Sequence, residues 1–404
     1  MSCSYIVIGA NYGDEGKGLI TDFLARTAKP DYVVRFNGGA QAGHTVESEG
    51  SRSIFKHISA GTFARIPTLL SEFFICNPIL FNSEITSHDD VEVLADGRAL
   101  VSTPFDMLIN QAMELVKGKN KHGSCGIGIN ETMTRSEDPE VAIKLHELSN
   151  HSKLREKLIK IRDEYFYHRI ASIGLDNVQA CDLLTNMEAP VFIDGFLDEC
   201  EAFMDRITML DSRKLRPKRV VFEGAQGLGL DELSEGFPHV TRSRTGMTNA
   251  LTLARAMRLG DNIMPVYVSR AYLTRHGAGY LENELPDKPY IGINERTNVE
   301  NQHQGAFRYG HLNLDKLKHR IELDRSQAPF LDASIAVTCL DQVDKHVDVC
   351  YNSKMITVPK HDLPRYLKGI LGSAFTMAFG SYGSTADDVK RMILGEIPTM
   401  SFEL

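Results

Sequence analysis

The stretch GANYGDEGKG, residues 9–18, places two carboxylates and a lysine among glycines, between an apolar run and an amphipathic one. Glycines let backbone N–H groups approach phosphate oxygens, and Lys17 adds a cation beside the positive N-terminus of the following helix. A carboxylate repels phosphate, so Asp14 or Glu15 is interpreted as a Mg²⁺ ligand or a proton acceptor. The stretch therefore predicts a phosphate loop that also carries metal or acid–base chemistry. It fits neither the Walker A pattern nor GxGxxG.

Two further glycine-rich clusters have chemistry of their own. RFNGGAQAGHT, residues 35–45, brings in His44, which can donate a hydrogen bond to charge that develops on a phosphoryl group. FEGAQGLGLDELSEGFPHVTRSRTG, residues 222–246, contains Gln226, whose amide can read a purine edge, and Thr241, whose hydroxyl can hold a phosphate. The three clusters together predict a site for nucleotides.

The elements that must position these clusters alternate between strands and helices. Apolar runs predict strands at 5–10, 31–39, 263–273 and 333–343, and the 218–231 segment repeats the pattern of a strand followed by glycines. Helical patterns cover 19–28, 103–116, 151–170 and 248–260. This order predicts an α/β fold with a mainly parallel central sheet flanked by helices. The clusters follow strands, at the edge where such sheets bind ligands.

Composition excludes several classes of protein. The chain has 404 residues, of which 42% are hydrophobic and 24% charged, which suits one large globular domain. Its net charge of −8 argues against binding to nucleic acid or a membrane surface. We find no apolar run of about 20 residues and no signal-peptide pattern, and the seven scattered cysteines indicate free thiols in the cytoplasm.

Five motifs, in this order along the chain, resemble the signatures of the adenylosuccinate synthetase family. They are GDEGKG, NGGAQAGHT, FEGAQG, FPHVT and LTRHGAG, and TCLDQVD and GSYGS resemble two later segments of the family more loosely. The resemblance implies a P-loop-like ligase fold of the adenylosuccinate synthetase type. It implies a single domain over 1–404, with helical insertions at about 103–215 and a nucleotide-base-binding lobe at about 300–404.

The resemblance also implies a reaction. Family members join L-aspartate to C6 of a 6-oxopurine nucleotide in two steps, with a nucleoside triphosphate as phosphoryl donor and Mg²⁺ as cofactor. The O6 atom first attacks the γ-phosphate, and the amine of L-aspartate then displaces phosphate. By similarity, Asp14 takes the N1 proton and contacts Mg²⁺ together with the Gly43 carbonyl, His44 stabilises the moving phosphoryl group, and Lys17 holds phosphates.

The remaining site residues are likewise carried over by resemblance. The triphosphate is assigned to Gly13, Asp14, Glu15, Gly16, Lys17, Gly18, Gly43, His44 and Thr45. The purine nucleotide substrate is assigned to Asn11, Gln41, Ser124, Arg135, Gln226 and Thr241. L-Aspartate is assigned to Gln304, Gly305 and Arg308, and the donor base to Asp341, Ser381 and Gly383. Family members are homodimers in which a partner arginine reaches the acceptor phosphate, and Arg135 is the candidate for that arginine.

Several positions depart from the common family pattern. An arginine-rich run is replaced by TNVENQHQGAFRYG, residues 297–310, and a lysine by Cys339, an asparagine by Gln41 and a Thr-Thr-Gly loop by GSCGIG, residues 123–128. These variants resemble a phage-associated branch, the 2-aminoadenylosuccinate synthetases, which use dGMP in place of IMP. Many members of that branch lack the aspartate that this chain keeps at Asp14. The branch would place the enzyme in a host cytoplasm if the chain is phage-encoded.

Alternatives remain at this point. The favoured acceptor is GMP or dGMP, whose 2-amino group would meet Ser124 or the Gly126 carbonyl, and IMP is the alternative. The donor is GTP, ATP or dATP. A P-loop kinase or GTPase is disfavoured by the failed Walker pattern. A catalytically inactive binding protein is disfavoured because Asp14, Lys17, Gly43 and His44 are all present.

Overall fold

A ten-stranded sheet forms the centre of the molecule. The computed structural model describes residues 3–88, 90–117, 126–176, 179, 189–296 and 307–392. Within them the strand order is β20-β19-β16-β11-β1-β10-β2-β5-β7-β9. Neighbouring strands are parallel except for the pair β19 and β20. The prediction of a mainly parallel α/β sheet is confirmed.

The first ten strands are β1 Ser4–Gly9, β2 Tyr32–Arg35, β3 His44–Ser48, β4 Ser51–Phe55, β5 Thr68–Leu70, β6 Ile75–Cys76, β7 Val93–Asp96, β8 Leu100–Val101, β9 Thr208–Leu210 and β10 Val220–Gly227. The next ten are β11 Ile263–Arg270, β12 Leu273–Arg275, β13 Glu284–Leu285, β14 Arg308–Gly310, β15 Leu312–Asn313, β16 Ala333–Thr338, β17 His346–Tyr351, β18 Lys354–Pro359, β19 Phe375–Ser381 and β20 Val389–Arg391. The described α-helices are α1 Lys17–Ala28, α2 Pro78–Ile85, α3 Pro104–Lys117, α4 Ile129–Arg135, α5 His151–Lys160, α6 Phe166–Ser172, α7 Ala189–Asp205, α8 Thr248–Met257, α9 Leu314–Arg325 and α10 Leu363–Leu371.

The central strands are apolar because both faces of the sheet are covered. In β1, five of six residues are buried, and β16 is buried throughout. A separate apolar core gathers buried side chains between Val46 and Phe203, including residues of α2, α3, α5 and α7. Part of the predicted helical insertion thus shares a second core with residues between Val46 and Val101. The division into one domain with a C-terminal lobe stays a prediction.

Four predicted elements differ in detail, and one of them is the strand expected over 333–343, which ends at Thr338. The strand expected over 31–39 ends at Arg35, because the glycines that follow turn away from the sheet. The strand expected over 263–273 is interrupted after Arg270 and resumes as β12. The single helix expected over 151–170 contains a π-helical turn, Ile161–Tyr165, between α5 and α6. None of these differences moves the predicted clusters away from the carboxyl edge of the sheet.

Candidate active site

A cavity of about 520 Å³ opens at the carboxyl ends of β1, β10 and β11. Strand β1 lies between the other two, so the loops that follow these strands converge. Eleven residues predicted from the sequence line this cavity: Gly13, Asp14, Gly16, Lys17, Gly18, Gln41, Gly43, His44, Thr45, Gln226 and Thr241. The structure therefore brings the three glycine-rich clusters together in one place.

The phosphate loop is held in shape by its own glutamate. Glu15 Oε1 accepts hydrogen bonds from the backbone N–H groups of Asn11 and Gly13, at 3.0 and 2.9 Å. Its Oε2 accepts from Lys17 Nζ at 2.7 Å. The Glu15 side chain is 2% exposed and does not line the cavity, and the assignment of Glu15 to the triphosphate stays a prediction. A carboxylate satisfied by three donors stabilises the loop and sets the position of Lys17.

The loop then passes directly into α1. Gly16 has φ 88°, a left-handed conformation, and no side chain caps the helix. The first N–H groups of a helix have no intrahelical partner, so they are free to meet an anion in the cavity. Asp14 also has positive φ, at 59°, and its side chain is 32% exposed beside the cavity. This conformation presents the Asp14 carboxylate while the Glu15 carboxylate faces inward.

The side-chain amide of Asn11 is paired through both of its polar atoms. Its Oδ1 accepts from Arg320 Nη2 at 2.6 Å, and its Nδ2 donates to Ser269 Oγ at 2.9 Å. The residue is 3% exposed and lies outside the cavity lining. Asn11 therefore ties the phosphate loop to α9 and β11, and its contact with the purine nucleotide stays a prediction.

His44 is the first residue of β3 and faces the cavity with one ring nitrogen. Its Nδ1 lies 2.6 Å from Glu223 Oε1, a distance that fits an N–H donating to the carboxylate. Burial lowers the pKa of His44, and the Glu223 carboxylate opposes that effect. Nε2 is buried and has no hydrogen-bond partner among the described residues. The ring thus presents an unsatisfied nitrogen where a ligand would lie.

Glu223 was not predicted as a site residue. It lies in β10, is fully buried, and also accepts from the backbone N–H of Ala60 at 3.1 Å. The fully buried Arg35 lies 3.4 Å from Glu223 and 3.2 Å from His44 Nδ1. Burial raises the pKa of Glu223, but His44 and Arg35 together hold it below its usual value. The sequence did hold a signal for Glu223, because this charged residue stands between an apolar strand and glycines in the FEGAQG motif.

The glutamine that replaces the common asparagine is unpaired. Both amide atoms of Gln41, Oε1 and Nε2, are buried without a hydrogen-bond partner in the described part of the chain. Gln41 shares the cavity wall with Gln226 and Thr241, and with Asn110 and Glu114 of α3, which the sequence did not single out. A buried amide with both groups unsatisfied can bind a ligand edge that carries one donor and one acceptor.

Two residues predicted to contact the purine nucleotide are Ser124, which precedes α4 in the sequence, and Arg135, the last residue of α4. Ser124 lies outside the described residues, while the Gly126 carbonyl accepts from Gln111 Nε2 at 3.3 Å. Arg135 is fully buried: Nε and Nη2 donate to Asp106 at 2.9 Å, and Nη2 also donates to the Val101 carbonyl. In the single chain the guanidinium has no exposed surface. The contact of Arg135 with the nucleotide of a partner subunit stays a prediction.

The Arg308 guanidinium forms hydrogen bonds within its own chain. It donates to both carboxylate oxygens of Glu284, and its Nη1 donates to the carbonyls of Gly277 and Gly279 at 3.0 and 2.8 Å. Arg308 does not line the cavity, and its role in holding L-aspartate stays a prediction. Gln304 and Gly305 lie outside the described residues.

The residues predicted for the donor base lie near the ends of two neighbouring strands. Leu340, beside Asp341, donates its N–H to the Ser381 carbonyl at 3.1 Å. Ser381 Oγ donates to the Gly383 carbonyl at 2.6 Å. None of the three lines the cavity described above. The Thr338 hydroxyl, at the end of β16, donates to the Glu15 carbonyl, so this segment adjoins the phosphate loop.

Another part of the cavity wall carries basic side chains that the sequence did not assign to a role. Arg270, Arg275 and His276 come from the end of β11 and from β12. Arg270 Nε donates to the Asp14 carbonyl at 2.5 Å, which links this wall to the phosphate loop. Burial opposes the charged form of Arg270, but the acidic groups around it, Cys339, Tyr272, Glu295 and Asp14, raise its pKa above the usual value. Arg270 and Arg275 line the same cavity as Lys17.

The match to a family model decides the classification. The model of the adenylosuccinate synthetase family matches residues 6–368. This chain belongs to the adenylosuccinate synthetase family. Adenylosuccinate synthetase of Pasteurella multocida is 29% identical over 390 residues, covering 91% of this chain and 83% of the relative. That of Marinomonas sp. is 26% identical over 363 residues, covering 85% of this chain and 77% of the relative. The chain is thus a C–N bond-forming ligase of purine nucleotide biosynthesis.

Solved structures agree on the fold. Fully ligated adenylosuccinate synthetase of Plasmodium falciparum has a TM-score of 0.76 at 19% identity and covers 96% of this chain and 99% of its own. Succinoaminodeoxyadenylate synthetase of cyanophage S-2L, bound to dGMP and dATP, has a TM-score of 0.62 at 15% identity, covering 97% and 95%. Among the described residues, no helix combines the length and apolar character needed to cross a membrane.

Proposed function

We propose that this ligase joins L-aspartate to C6 of a guanine mononucleotide, dGMP or GMP, through a 6-phosphoryl intermediate formed at the expense of a nucleoside triphosphate. The observation that carries the proposal is the shared cavity of Asp14 and His44 beside a glycine-rich loop and Lys17. A base, a charge-stabilising imidazole and a phosphate cradle are what the first step requires. Phosphoryl transfer depends mainly on positioning and on charge stabilisation.

In the first step, Asp14 removes the proton from N1 of the purine. The O6 atom of a neutral lactam is a weak nucleophile, and loss of the N1 proton makes it anionic. O6 then forms a bond to the γ-phosphorus while the bond to the β,γ-bridging oxygen breaks. His44 Nε2 faces the cavity in which the phosphoryl group moves. Negative charge that develops on this group favours the imidazolium form of His44, and so does the Glu223 carboxylate, which accepts from Nδ1.

In the second step, the amine of L-aspartate forms a bond to C6 and inorganic phosphate leaves with the former O6 atom. Asp14, now protonated, donates its proton to N1 while the amine adds and takes it back as the C6–O bond breaks. The proton that the amine loses leaves with the phosphate, so that N1 of the product carries no proton. The position of Asp14 beside the cavity allows the same carboxyl group to serve both steps. The donors around the phosphate loop that held the γ-phosphate then hold the departing phosphate.

The site also suits Mg²⁺. The Asp14 carboxylate and the Gly43 backbone line the same cavity and supply oxygen donors of the kind that this cation prefers. The described residues contain no group of three or more His, Cys, Asp or Glu placed to hold a metal ion. That agrees with a cation bound by one carboxylate and by substrate phosphates. When bound, it would neutralise charge on the transferred phosphoryl group.

The unpaired amide of Gln41 favours a guanine acceptor. The edge of guanine that carries the 2-amino group and N3 offers one donor and one acceptor, which matches the two unsatisfied amide atoms. Hypoxanthine lacks the 2-amino group and would leave Oε1 unpaired, at a cost of about 1–3 kcal/mol. IMP remains the second candidate, because the curated relatives at 26–29% identity are named adenylosuccinate synthetase.

A three-way competition tests the acceptor. IMP, GMP and dGMP are each supplied with L-aspartate, Mg²⁺ and GTP, ATP or dATP, and the aspartate adduct is identified by mass spectrometry. We expect GMP or dGMP to be turned over with a higher kcat/KM than IMP. Replacing Gln41 by Leu should reduce this preference while leaving IMP turnover less affected. An adduct formed from IMP alone would refute the guanine assignment and leave an adenylosuccinate-forming enzyme.

A further inference from the structure

The amino-acid substrate lacks an obvious cationic partner in this chain. L-Aspartate brings two carboxylates, and a buried carboxylate needs charged or hydrogen-bonding partners. Residues 297–306, the stretch that corresponds to the arginine-rich run, contain neither Arg nor Lys. Arg308, which follows them, donates to Glu284 and to two backbone carbonyls. An arginine or lysine that pairs with these carboxylates would therefore come from another part of the site.

Four lysine and arginine side chains line the described part of the cavity, and in three of them the charged group is paired with other protein groups. Lys17 pairs with Glu15. Arg242 donates to Thr134 and Glu137. Arg275 divides its terminal nitrogens between the carbonyls of Tyr280 and His239.

Arg270 retains free donors. Its Nε donates to the Asp14 carbonyl, and its Nη1 to Tyr272 and Glu295. Within the described ranges, Nη2 makes no hydrogen bond. These two N–H groups lie on a guanidinium whose position is already set by the phosphate loop. Glu295, 3.0 Å from Nη1, offsets part of the charge without occupying Nη2.

His276 stands next to Arg270 in the same wall. Both ring nitrogens of His276 are buried and lack a hydrogen-bond partner among the described residues. Nε2 lies 3.9 Å from Asp14 Oδ2, too far for a hydrogen bond but close enough to place His276 at the reaction centre. A neutral imidazole always carries one N–H, so His276 can donate to a carboxylate without changing its protonation state.

Phe307 connects this wall to the stretch that resemblance assigns to L-aspartate. Its ring lies 4.4 Å from the His276 ring, and the Arg270 guanidinium lies 5.5 Å from the centre of the same ring. Phe307 follows residues 297–306 directly. Arg308, the next residue, fixes the turn after His276 by donating to the Gly277 and Gly279 carbonyls. Arg308 thus acts as a positioning residue for the turn that carries His276.

We propose that Arg270 Nη2 and the His276 imidazole form the subsite that binds the carboxylates of the amino-acid substrate, in place of an arginine-rich loop. This inference rests on the proposed function, because it assumes that L-aspartate is the nucleophile. It places the dicarboxylate beside Asp14, where its amine can reach C6 of the purine. It also assigns a role to two side chains that the resemblance left without one.

Steady-state kinetics of His276→Ala test the subsite. We expect KM for L-aspartate to rise roughly 10- to 100-fold, the loss typical of a hydrogen bond to a charged group. KM for both nucleotides should stay within about twofold, and kcat at saturating L-aspartate should change little. His276→Gln, which keeps an N–H donor, should restore part of the affinity. The matched control is His319→Ala, an exposed histidine of α9 outside the cavity.

A second variant and a direct measurement separate the possible failures. Arg270→Gln should raise KM for L-aspartate and also lower kcat, because Arg270 supports Asp14. Calorimetric titration of L-aspartate into the enzyme with acceptor nucleotide but no triphosphate should show the same loss for His276→Ala. An unchanged KM for L-aspartate in correctly folded His276→Ala would overturn the subsite alone. A wild-type enzyme that forms no aspartate adduct with any acceptor would overturn both the proposed function and the subsite.

Discussion

Replacing Glu223 by glutamine should slow phosphoryl transfer although Glu223 does not line the cavity. The carboxylate lies 2.6 Å from His44 Nδ1, and both side chains are buried. A hydrogen bond to a charged group such as this carboxylate contributes about 1.5–3 kcal/mol, which corresponds to roughly 10- to 150-fold in kcat. The pKa of His44, already lowered by burial, would fall further once the carboxylate that opposes this effect is gone.

The assay is kcat at saturating substrates, with KM for each substrate measured in parallel. Because His44 meets charge mainly during the transfer, Glu223→Gln should lower kcat and leave the KM values within about twofold. Arg35 loses a buried carboxylate in this variant, so thermal melting must establish that the fold persists. Glutamine keeps an oxygen acceptor of nearly the same shape.

A double variant shows whether Glu223 acts through His44. If it does, Glu223→Gln combined with His44→Asn should be no slower than His44→Asn alone. If the double variant lowered kcat by the product of the two separate reductions, Glu223 would support activity by a route other than His44. A folded Glu223→Gln enzyme with wild-type kcat would refute the reasoning.

Four further outcomes are expected. Asp14→Asn should lower kcat by roughly 10²- to 10⁴-fold with little change in nucleotide binding, and unchanged turnover in steady-state assays would remove its role as base. His44→Asn should lose about 3 kcal/mol of barrier lowering, whereas a defect in KM alone would indicate ground-state binding. Burial raises the pKa of Asp324 to about 6. Since the pKa of an aspartate in the unfolded chain is about 3.9, the free energy of unfolding falls by up to about 3 kcal/mol as pH rises from about 4 to above 6. Urea unfolding at about pH 4 and pH 7 should show a smaller difference in Asp324→Asn. Light scattering should show a homodimer; a fully active monomer would exclude that requirement.

Much of the fold could be predicted because its signals are local. The apolar runs of β1, β11 and β16 and the glycines after them indicate parallel strands with loops at one edge. The turn between Arg270 and β12 has no such signal, since apolar residues continue through it. Helix α5 likewise reads as uninterrupted through Ile161–Tyr165, because the π-helical turn keeps the same amphipathic composition.

The site was harder to predict where a side chain's partner is distant in sequence. Glu15 and Asp14 are equivalent in the sequence, and only the loop conformation turns one inward and the other outward. Arg135 and Arg308 resemble exposed cations until Asp106 and Glu284 are found beside them. His276 lay inside a quoted motif, but its two unpaired nitrogens appear only when Phe307 and Asp14 surround it.

The most direct test of the central claim follows the O6 atom. The enzyme is supplied with an acceptor nucleotide labelled with oxygen-18 at O6, together with L-aspartate, Mg²⁺ and the triphosphate that supports turnover. Activation of C6 by phosphorylation transfers that atom to inorganic phosphate. We therefore predict one labelled oxygen in the phosphate for each aspartate adduct formed. Unlabelled phosphate alongside adduct formation would contradict the 6-phosphoryl intermediate and the roles assigned to Asp14 and His44.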